Sequence, residues 1–169
     1  MKIIFIRHGE TNIKTGTLTR KGVKQIKSAA KYLKDEKISA IYCSPTTRTL
    51  QTANILNKTF KKPLFILKEL NERQQLNSSH SISMHKIFNE NYLNYDFESE
   101  DFETCKNFID RNISGLEKIR KKYRTEKTII IAAHSSTLYA INTYATGIPA
   151  NNKITWLQCS NGAVIKFHL

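Results

Sequence analysis

Hydrophobic and polar positions follow two alternating patterns along this chain. Buried strands are indicated by short apolar runs within residues 2–7, 40–43, 64–67 and 128–133. Helices are predicted where apolar residues recur at helical spacing, over residues 20–35, 46–60, 102–124 and 136–146. This alternation predicts an α/β fold, a three-layer sandwich whose mostly parallel central sheet carries helices on both faces.

Residues at the ends of these segments indicate where the helices begin and end. Thr19 is placed as the N-cap of the first helix. Ser44 and Pro45 offer an N-cap and a first helical residue for the second helix. Acidic residues between positions 98 and 103 complement the positive end of the third helix, and Gly147 is a stop signal for the last.

Two other parts of the chain show a different pattern. Residues 154–159 and 163–169 flank Asn161-Gly162, a pair suited to positive φ values, which predicts a C-terminal hairpin. Residues 74–98 are rich in Asn, Ser and Gln and predict short helices and loops. We therefore expect a single domain over residues 1–169, in which residues 73–101 form a small acidic cap.

Length and composition narrow the class of protein. The chain has 169 residues, 40% of them hydrophobic, which suffices for one sizeable core. No run approaches the ~20 apolar residues that span a bilayer, and the chain starts directly with a strand, so we expect a cytoplasmic protein without membrane contact. The three cysteines include no Cys-x-x-Cys pair, so they indicate neither a disulfide framework nor a zinc site.

The net charge of +13 raises the question of nucleic-acid binding. Only seven of the 27 basic residues are arginines, and the lysines are spread over polar helix faces. This distribution favours a solvated surface, and we expect no nucleic-acid partner. Residues 69–103 differ from the rest, with 2 basic and 8 acidic residues.

Three predicted strands end in residues suited to phosphate chemistry. Arg7 and His8 follow the first strand, Ser44 and Arg48 follow the second, and His134 follows residues 128–133. The carboxyl ends of parallel strands meet in one crevice, where ligands bind. A guanidinium grips phosphate oxygens bidentately, and a neutral imidazole is an available nucleophile, so the sequence predicts a phosphate site there.

The motifs at these strand ends resemble those of the histidine phosphatase superfamily, which contains the cofactor-dependent phosphoglycerate mutases and many small phosphatases. They occur in the family's order and span nearly the whole chain: Arg7-His8-Gly9-Glu10-Thr11, Leu18-Thr19-Arg20-Lys21-Gly22, Ser44-Pro45-Thr46-Thr47-Arg48-Thr49-Leu50-Gln51-Thr52-Ala53, Leu70-Asn71-Glu72-Arg73 and Ala133-His134-Ser135. The resemblance implies a phosphoglycerate mutase-like fold.

The resemblance also implies a role for each site residue. His8 would be the nucleophile, forming a phosphohistidine that water hydrolyses. Arg7, Arg48 and His134 would surround the phosphate oxygens without a metal or other cofactor. Glu72 would protonate the leaving group and then activate water.

Other interpretations of these residues stay open. Taken singly, an arginine or histidine at a strand end is an ordinary boundary residue. Glu72 competes with the nearby Glu69, and it could instead form a structural salt bridge with Arg73. Thr11 either adds a hydroxyl to the phosphate pocket or, like Glu10, only caps its loop.

Departures from the mutase pattern favour a phosphatase. In the mutases the first motif continues into an Asn and a long substrate loop, whereas here only residues 12–17 remain, with Lys14 near the position of that Asn. Without a long loop, water should reach the phosphohistidine. We expect hydrolysis of a phosphomonoester, on a small metabolite or a phosphoprotein. The alternatives are a phosphoglycerate-type mutase and a non-catalytic phosphoryl-binding module.

Overall fold

A computed structural model describes residues 1–73, 94–123, 126–148 and 159–169 of the chain. Its strands are β1 (Lys2–Arg7), β2 (Ile38–Cys43), β3 (Leu64–Ile66), β4 (Thr128–Ala133) and β5 (Val164–His168). Its α-helices are α1 (Arg20–Tyr32), α2 (Thr47–Phe60), α3 (Cys105–Lys122) and α4 (Ser135–Thr146), and a short 3-10 helix spans Lys68–Leu70.

The strands form one sheet in the order β3-β2-β4-β1-β5. Four of them are parallel, and β5 pairs antiparallel with β1 at the edge. The mostly parallel sheet of the predicted α/β fold is thus confirmed. Because β2, β4 and β1 are neighbours, their carboxyl ends lie side by side.

Alternate residues of each strand face opposite sides of the sheet and meet different helices. Ile4 and Ile6 pack with residues of α1 and α2, including Ile26 and Leu56. Ile3 and Phe5 pack on the other face with residues of α3 and α4, namely Leu116, Ile119, Leu138 and Ile141. The sheet therefore lies between two layers of helices, which confirms the predicted three-layer sandwich.

The structure corrects two predicted helix starts. Helix α2 begins at Thr47 with Thr46 at its N-cap, so Ser44 does not cap it and Pro45 is not its first residue. The Ser44 hydroxyl instead contacts the ring of His134, which follows β4. Helix α3 begins at Cys105, later than predicted, because Thr104 provides the cap, and its first turn contains no acidic residue. The predicted N-cap Thr19 of α1 is confirmed.

The predicted hairpin and cap fall partly outside the described residues. Residues 74–93, most of the predicted cap, and residues 154–158 of the first hairpin strand are among those not described. In the described turn only Gly162 has a positive φ, of 76°, so the expectation for Asn161 is wrong. Within the described part of the chain, no helix has the length and apolar character needed to cross a membrane.

Candidate active site

Backbone hydrogen bonds bring three strand ends together. The amide of His8 donates to the Ala133 carbonyl at 3.0 Å, and the amide of Ser44 donates to the Ala132 carbonyl at 3.3 Å. The side chains that follow β1 and β4 therefore share one crevice. The rings of His8 and His134 lie edge to face, with their centroids 5.5 Å apart.

His8 is oriented by its own backbone. Its Nδ1 lies 2.8 Å from the Gly9 carbonyl oxygen. A carbonyl only accepts, so Nδ1 carries the proton and Nε2 keeps its lone pair. The side chain is buried, and burial is the main reason that its pKa falls to about 4. His134, Arg48 and Arg7 lower the pKa further by smaller amounts. His8 is therefore neutral at physiological pH.

Close backbone packing holds the loop that follows His8. A Cβ on Gly9 would lie 2.5 Å from the carbonyl oxygen of Gly22 in α1. Both glycines are therefore needed for the loop to reach the helix so closely. Helix α2 supports the same loop, since Thr52 Oγ1 accepts from the Gly9 amide at 3.3 Å and Gln51 Oε1 accepts from the Leu18 amide at 2.7 Å.

Both ring nitrogens of His134 contact side chains in a fully buried position. Its Nε2 lies 2.8 Å from Ser44 Oγ, which is 2.7 Å from Thr49 Oγ1. Thr49 Oγ1 also lies 2.8 Å from the Ser44 carbonyl oxygen and 2.9 Å from that of Thr46, so this pair of hydroxyls is fixed beside the ring. On the other side of the ring, Nδ1 faces the Arg48 guanidinium and the Glu72 carboxylate, each at 3.2 Å.

Glu72 reaches the same crevice from the segment that follows β3. One carboxylate oxygen accepts a hydrogen bond from the Ser136 hydroxyl on α4. The other lies 3.2 Å from His134 Nδ1 and 3.8 Å from Arg48 Nη2. With 31% of its side chain exposed, Glu72 is open to solvent as well as to the site.

Glu69 and Arg73, the competitors considered from the sequence, make other contacts. Glu69 is largely buried and pairs with Lys118 on α3 at 2.5 Å. Burial raises the pKa of Glu69, but hydrogen bonds and the charge of Lys118 outweigh it and lower the pKa overall. Arg73 donates from Nε to the Glu103 carbonyl at 2.6 Å. Of the two carboxylates, the structure brings Glu72 to His134.

Arg7 and His8 are also held by the turn that precedes β5. The Asn161 side-chain amide donates to the His8 carbonyl at 3.1 Å, and the Gly162 amide donates to the Arg7 carbonyl at the same distance. The Arg7 guanidinium donates from Nη1 to the Cys159 carbonyl. Its Nε is buried and, like Nη2, makes no hydrogen bond within the described residues, so the Arg7 guanidinium keeps donors for an anion.

The two remaining residues of the first motif lie in the loop toward α1. Glu10 forms an ion pair with Lys21 at 2.7 Å and accepts from the Thr19 hydroxyl at 2.9 Å, which is a structural role. Thr11 pairs through its backbone with Leu18. Within the described residues its hydroxyl has no hydrogen bond, so the structure does not join Thr11 to the histidine cluster.

Sequence reasoning missed three side chains of this site. The hydroxyl of Ser44 contacts His134, that of Ser136 contacts Glu72, and Asn161 contacts the backbone of His8. The sequence marks Ser44 as a helix cap and as a strand-end residue suited to phosphate, without indicating its contact with His134, and it marks Asn161 only as a turn residue. Ser136 adjoins the second histidine motif, which was the one available signal for it.

Known proteins share this chain's sequence pattern and fold. The family model of the histidine phosphatase superfamily (branch 1) matches residues 3–169. The chain is 27% identical over 155 residues to the uncharacterized phosphatase PhoE of Bacillus subtilis (strain 168), covering 86% of this chain and 77% of PhoE.

Two solved structures share the fold at lower identity. Bacillus stearothermophilus YhfR superimposes with a TM-score of 0.78 at 20% identity, covering 99% of this chain and 94% of YhfR. The alpha-ribazole phosphatase of Shigella flexneri gives 0.78 at 22% identity, covering 98% and 89%. At these identities the two structures support the fold alone.

Proposed function

Since this chain belongs to the histidine phosphatase superfamily, we propose that it hydrolyses a phosphomonoester through a phosphohistidine on His8. Its relative PhoE is named as a phosphatase, which supports hydrolysis. The substrate we propose is a phosphorylated small metabolite or phosphoprotein. Neither nucleic acid nor membrane is part of the proposal.

The neutral His8 ring carries this proposal. Its Nδ1 proton is engaged by the Gly9 carbonyl, so Nε2 presents a lone pair in the crevice. The pKa of about 4 keeps that lone pair free of a proton at physiological pH. A buried, neutral and oriented imidazole meets the main requirement of a nucleophile.

Three neighbouring side chains supply positive charge and hydrogen bonds for the phosphoryl oxygens. Arg7 and Arg48 are permanent cations, and His134 presents its Nδ1 beside Arg48. The transferred phosphoryl group spreads its charge over three equatorial oxygens, so oriented donors stabilise the transition state. These donors support catalysis without a metal, as we propose.

The reaction we propose balances in two steps. First, His8 Nε2 attacks phosphorus, the phosphorus–oxygen bond to the leaving group breaks, and the carboxylic acid form of Glu72 gives its proton to the leaving oxygen. Then the Glu72 carboxylate takes a proton from water, whose oxygen attacks the phosphohistidine and releases inorganic phosphate. The same group thus acts as acid and base.

Phosphate release from p-nitrophenyl phosphate in the presence of a metal chelator tests this proposal. We expect turnover by the unaltered protein and none by His8→Ala, with circular dichroism showing that the variant is folded. Phosphate transfer to an added sugar-acid hydroxyl, in place of release, would favour the mutase alternative. Phosphate binding without turnover across a broad phosphomonoester panel would favour the binding module.

A further inference from the structure

Arg111 on α3 contacts the chain segment that carries Glu72. From Nη1 it donates to the Glu69 carbonyl at 2.7 Å and to the Asn71 carbonyl at 3.2 Å. From Nη2 it donates to the carbonyl of Glu72 itself at 3.4 Å. Nη1 also lies 3.5 Å from the Lys68 carbonyl, the longest of these contacts, so one guanidinium holds the backbone of this segment.

Glu103 fixes the orientation of that guanidinium. Its carboxylate accepts from Arg111 Nε and Nη2, each at 2.7 Å, in a bidentate pair. A guanidinium has five N–H donors in a rigid plane. Two serve Glu103 and three serve the carbonyls, so all five donors of Arg111 are used and three of them hold this segment.

The segment depends on side chains because it has little regular structure of its own. After the 3-10 helix Lys68–Leu70, Asn71 is extended, with φ −65° and ψ 155°, and its carbonyl cannot bond within a helix. Carbonyls in such a segment need donors from elsewhere. Arg111 supplies them 39 to 42 positions further along the chain.

Close approach of α3 makes these contacts possible. Gly115 lies one turn beyond Arg111, on the same helix face, and a Cβ there would be 2.8 Å from the Cβ of Glu69. The absence of a side chain lets the helix lie against the segment. On the other side of Glu72, Arg73 donates to the Glu103 carbonyl, so Glu103 anchors both flanks.

From these contacts we infer that Arg111 is a positioning residue for Glu72. It sets the backbone from which the carboxylate reaches Ser136, His134 and Arg48, and it touches neither substrate nor the reacting atoms. The inference rests on the proposed role of Glu72 as acid and base. Its consequence is that loss of Arg111 impairs proton transfer to the leaving group more than attack by His8.

Leaving-group dependence separates these two effects. p-Nitrophenolate departs as an anion with little help, whereas an alkoxide needs a proton from the general acid. For Arg111→Gln we expect kcat/KM on an alkyl phosphomonoester to fall about 30-fold, and kcat/KM on p-nitrophenyl phosphate to fall no more than about 3-fold. We compare kcat/KM because it reports only the steps up to formation of the phosphohistidine, whereas kcat also contains the later hydrolysis that Glu72 assists for both substrates. Glu72→Gln should show the same bias, more strongly, and the double variant should lose little beyond Glu72→Gln.

Lys118→Gln is the matched control. It lies on the same helix and breaks a contact to the same segment, the pair with Glu69, but leaves the three carbonyls bound to Arg111. It should lower kcat/KM for both substrates equally or not at all. Arg111→Lys keeps the charge without the planar fork, so it should show the bias even if Arg111→Gln does not fold.

Two results would separate failure of this inference from failure of the proposed function. Equal losses on both substrates in folded Arg111→Lys, with the bias present in Glu72→Gln, would reduce Arg111 to a structural role and leave the mechanism intact. Absence of the bias in Glu72→Gln would remove Glu72 as the acid, and the inference about Arg111 with it.

Discussion

His8 and His134 follow neighbouring parallel strands, yet they are held by different kinds of contact. The His8 ring is oriented by a backbone atom, since Nδ1 lies on the Gly9 carbonyl, and the backbone carbonyl of His8 accepts from the Asn161 side-chain amide. His134 is held by side chains on both ring nitrogens, namely Ser44, Arg48 and Glu72.

The difference indicates what each ring can do. The Gly9 carbonyl accepts a hydrogen bond from His8 Nδ1, and Nε2 makes no hydrogen bond among the described residues. Nε2 therefore keeps the available lone pair that a nucleophile requires. His134 has no ring nitrogen without a partner, and its Nδ1 lies between a donor and an acceptor. That arrangement suits a group that hydrogen-bonds to phosphate and adjusts to the protonation of Glu72.

Replacing each histidine by asparagine should cause the largest losses of activity and should separate the roles of the two rings. Because His8 is proposed to form the covalent intermediate, His8→Asn should lower kcat on p-nitrophenyl phosphate by at least about 10³-fold. His134→Asn removes one stabilising donor and should cost about 10²-fold. Steady-state kinetics on folded variants checks both values, and equal losses would contradict the division of roles.

The low pKa of His8 should appear in the pH dependence of stability. Below pH 6.5 the unfolded chain binds a proton at His8, whereas the folded protein does so only near pH 4. Stability should therefore fall as pH drops from 6.5 to 4, by up to about 1.4 kcal/mol per pH unit. His8→Asn should lack this contribution.

Urea unfolding of the unaltered protein and of His8→Asn at several pH values measures this contribution to the free energy of unfolding. The two curves of unfolding free energy against pH should diverge between pH 6.5 and 4 and run parallel above it. An NMR titration of the His8 ring in the folded protein should give a midpoint near 4. Parallel curves throughout, with a midpoint near 6.5, would show that burial does not keep His8 neutral.

Ser44→Ala tests the side-chain support of His134. The change leaves the buried Nε2 without its partner, and we expect a loss of kcat of about 10-fold. Thr46→Ala is the control, because Thr46 belongs to the same hydroxyl cluster but does not contact His134. A 10-fold loss in both variants would point to disturbance of the α2 start, not of His134.

Asn161→Ala removes the side-chain amide that donates to the His8 carbonyl, and it should have the smallest effect. The variant loses one hydrogen bond to the His8 carbonyl, while the Gly162 amide still donates to that carbonyl at 3.2 Å. We expect kcat/KM to fall about 3-fold. Ser160→Ala alters the neighbouring exposed residue and should leave kcat/KM unchanged, and an equal loss there would argue against the Asn161 contact.

Strong local patterns account for what the sequence predicted. Strand β4 carries a run of apolar residues that only a buried strand explains, and β1 ends at the predicted Arg7. Because parallel topology brings strand ends together, the meeting of His8 and His134 could be expected before any coordinates. The order of the motifs then named the family.

Contacts between distant polar groups could not be predicted in the same way. Ser44 has the sequence signature of a helix cap, yet its hydroxyl binds a histidine 90 positions away. Arg111 lies in a helix whose apolar stripe reveals nothing about the carbonyls it holds. Such contacts depend on where the folded chain places each side chain, and neither the hydrophobic period nor local secondary-structure propensity predicts that.

The central claim is that His8, and not His134, carries the phosphoryl group, and trapping the intermediate tests it most directly. The protein is mixed with a labelled phosphomonoester and denatured within milliseconds at alkaline pH, where a phosphorus–nitrogen bond survives. Peptide mapping should place the label on His8, with none in His8→Asn. Label on His134, Ser44 or Cys159, or turnover by His8→Asn, would contradict the account.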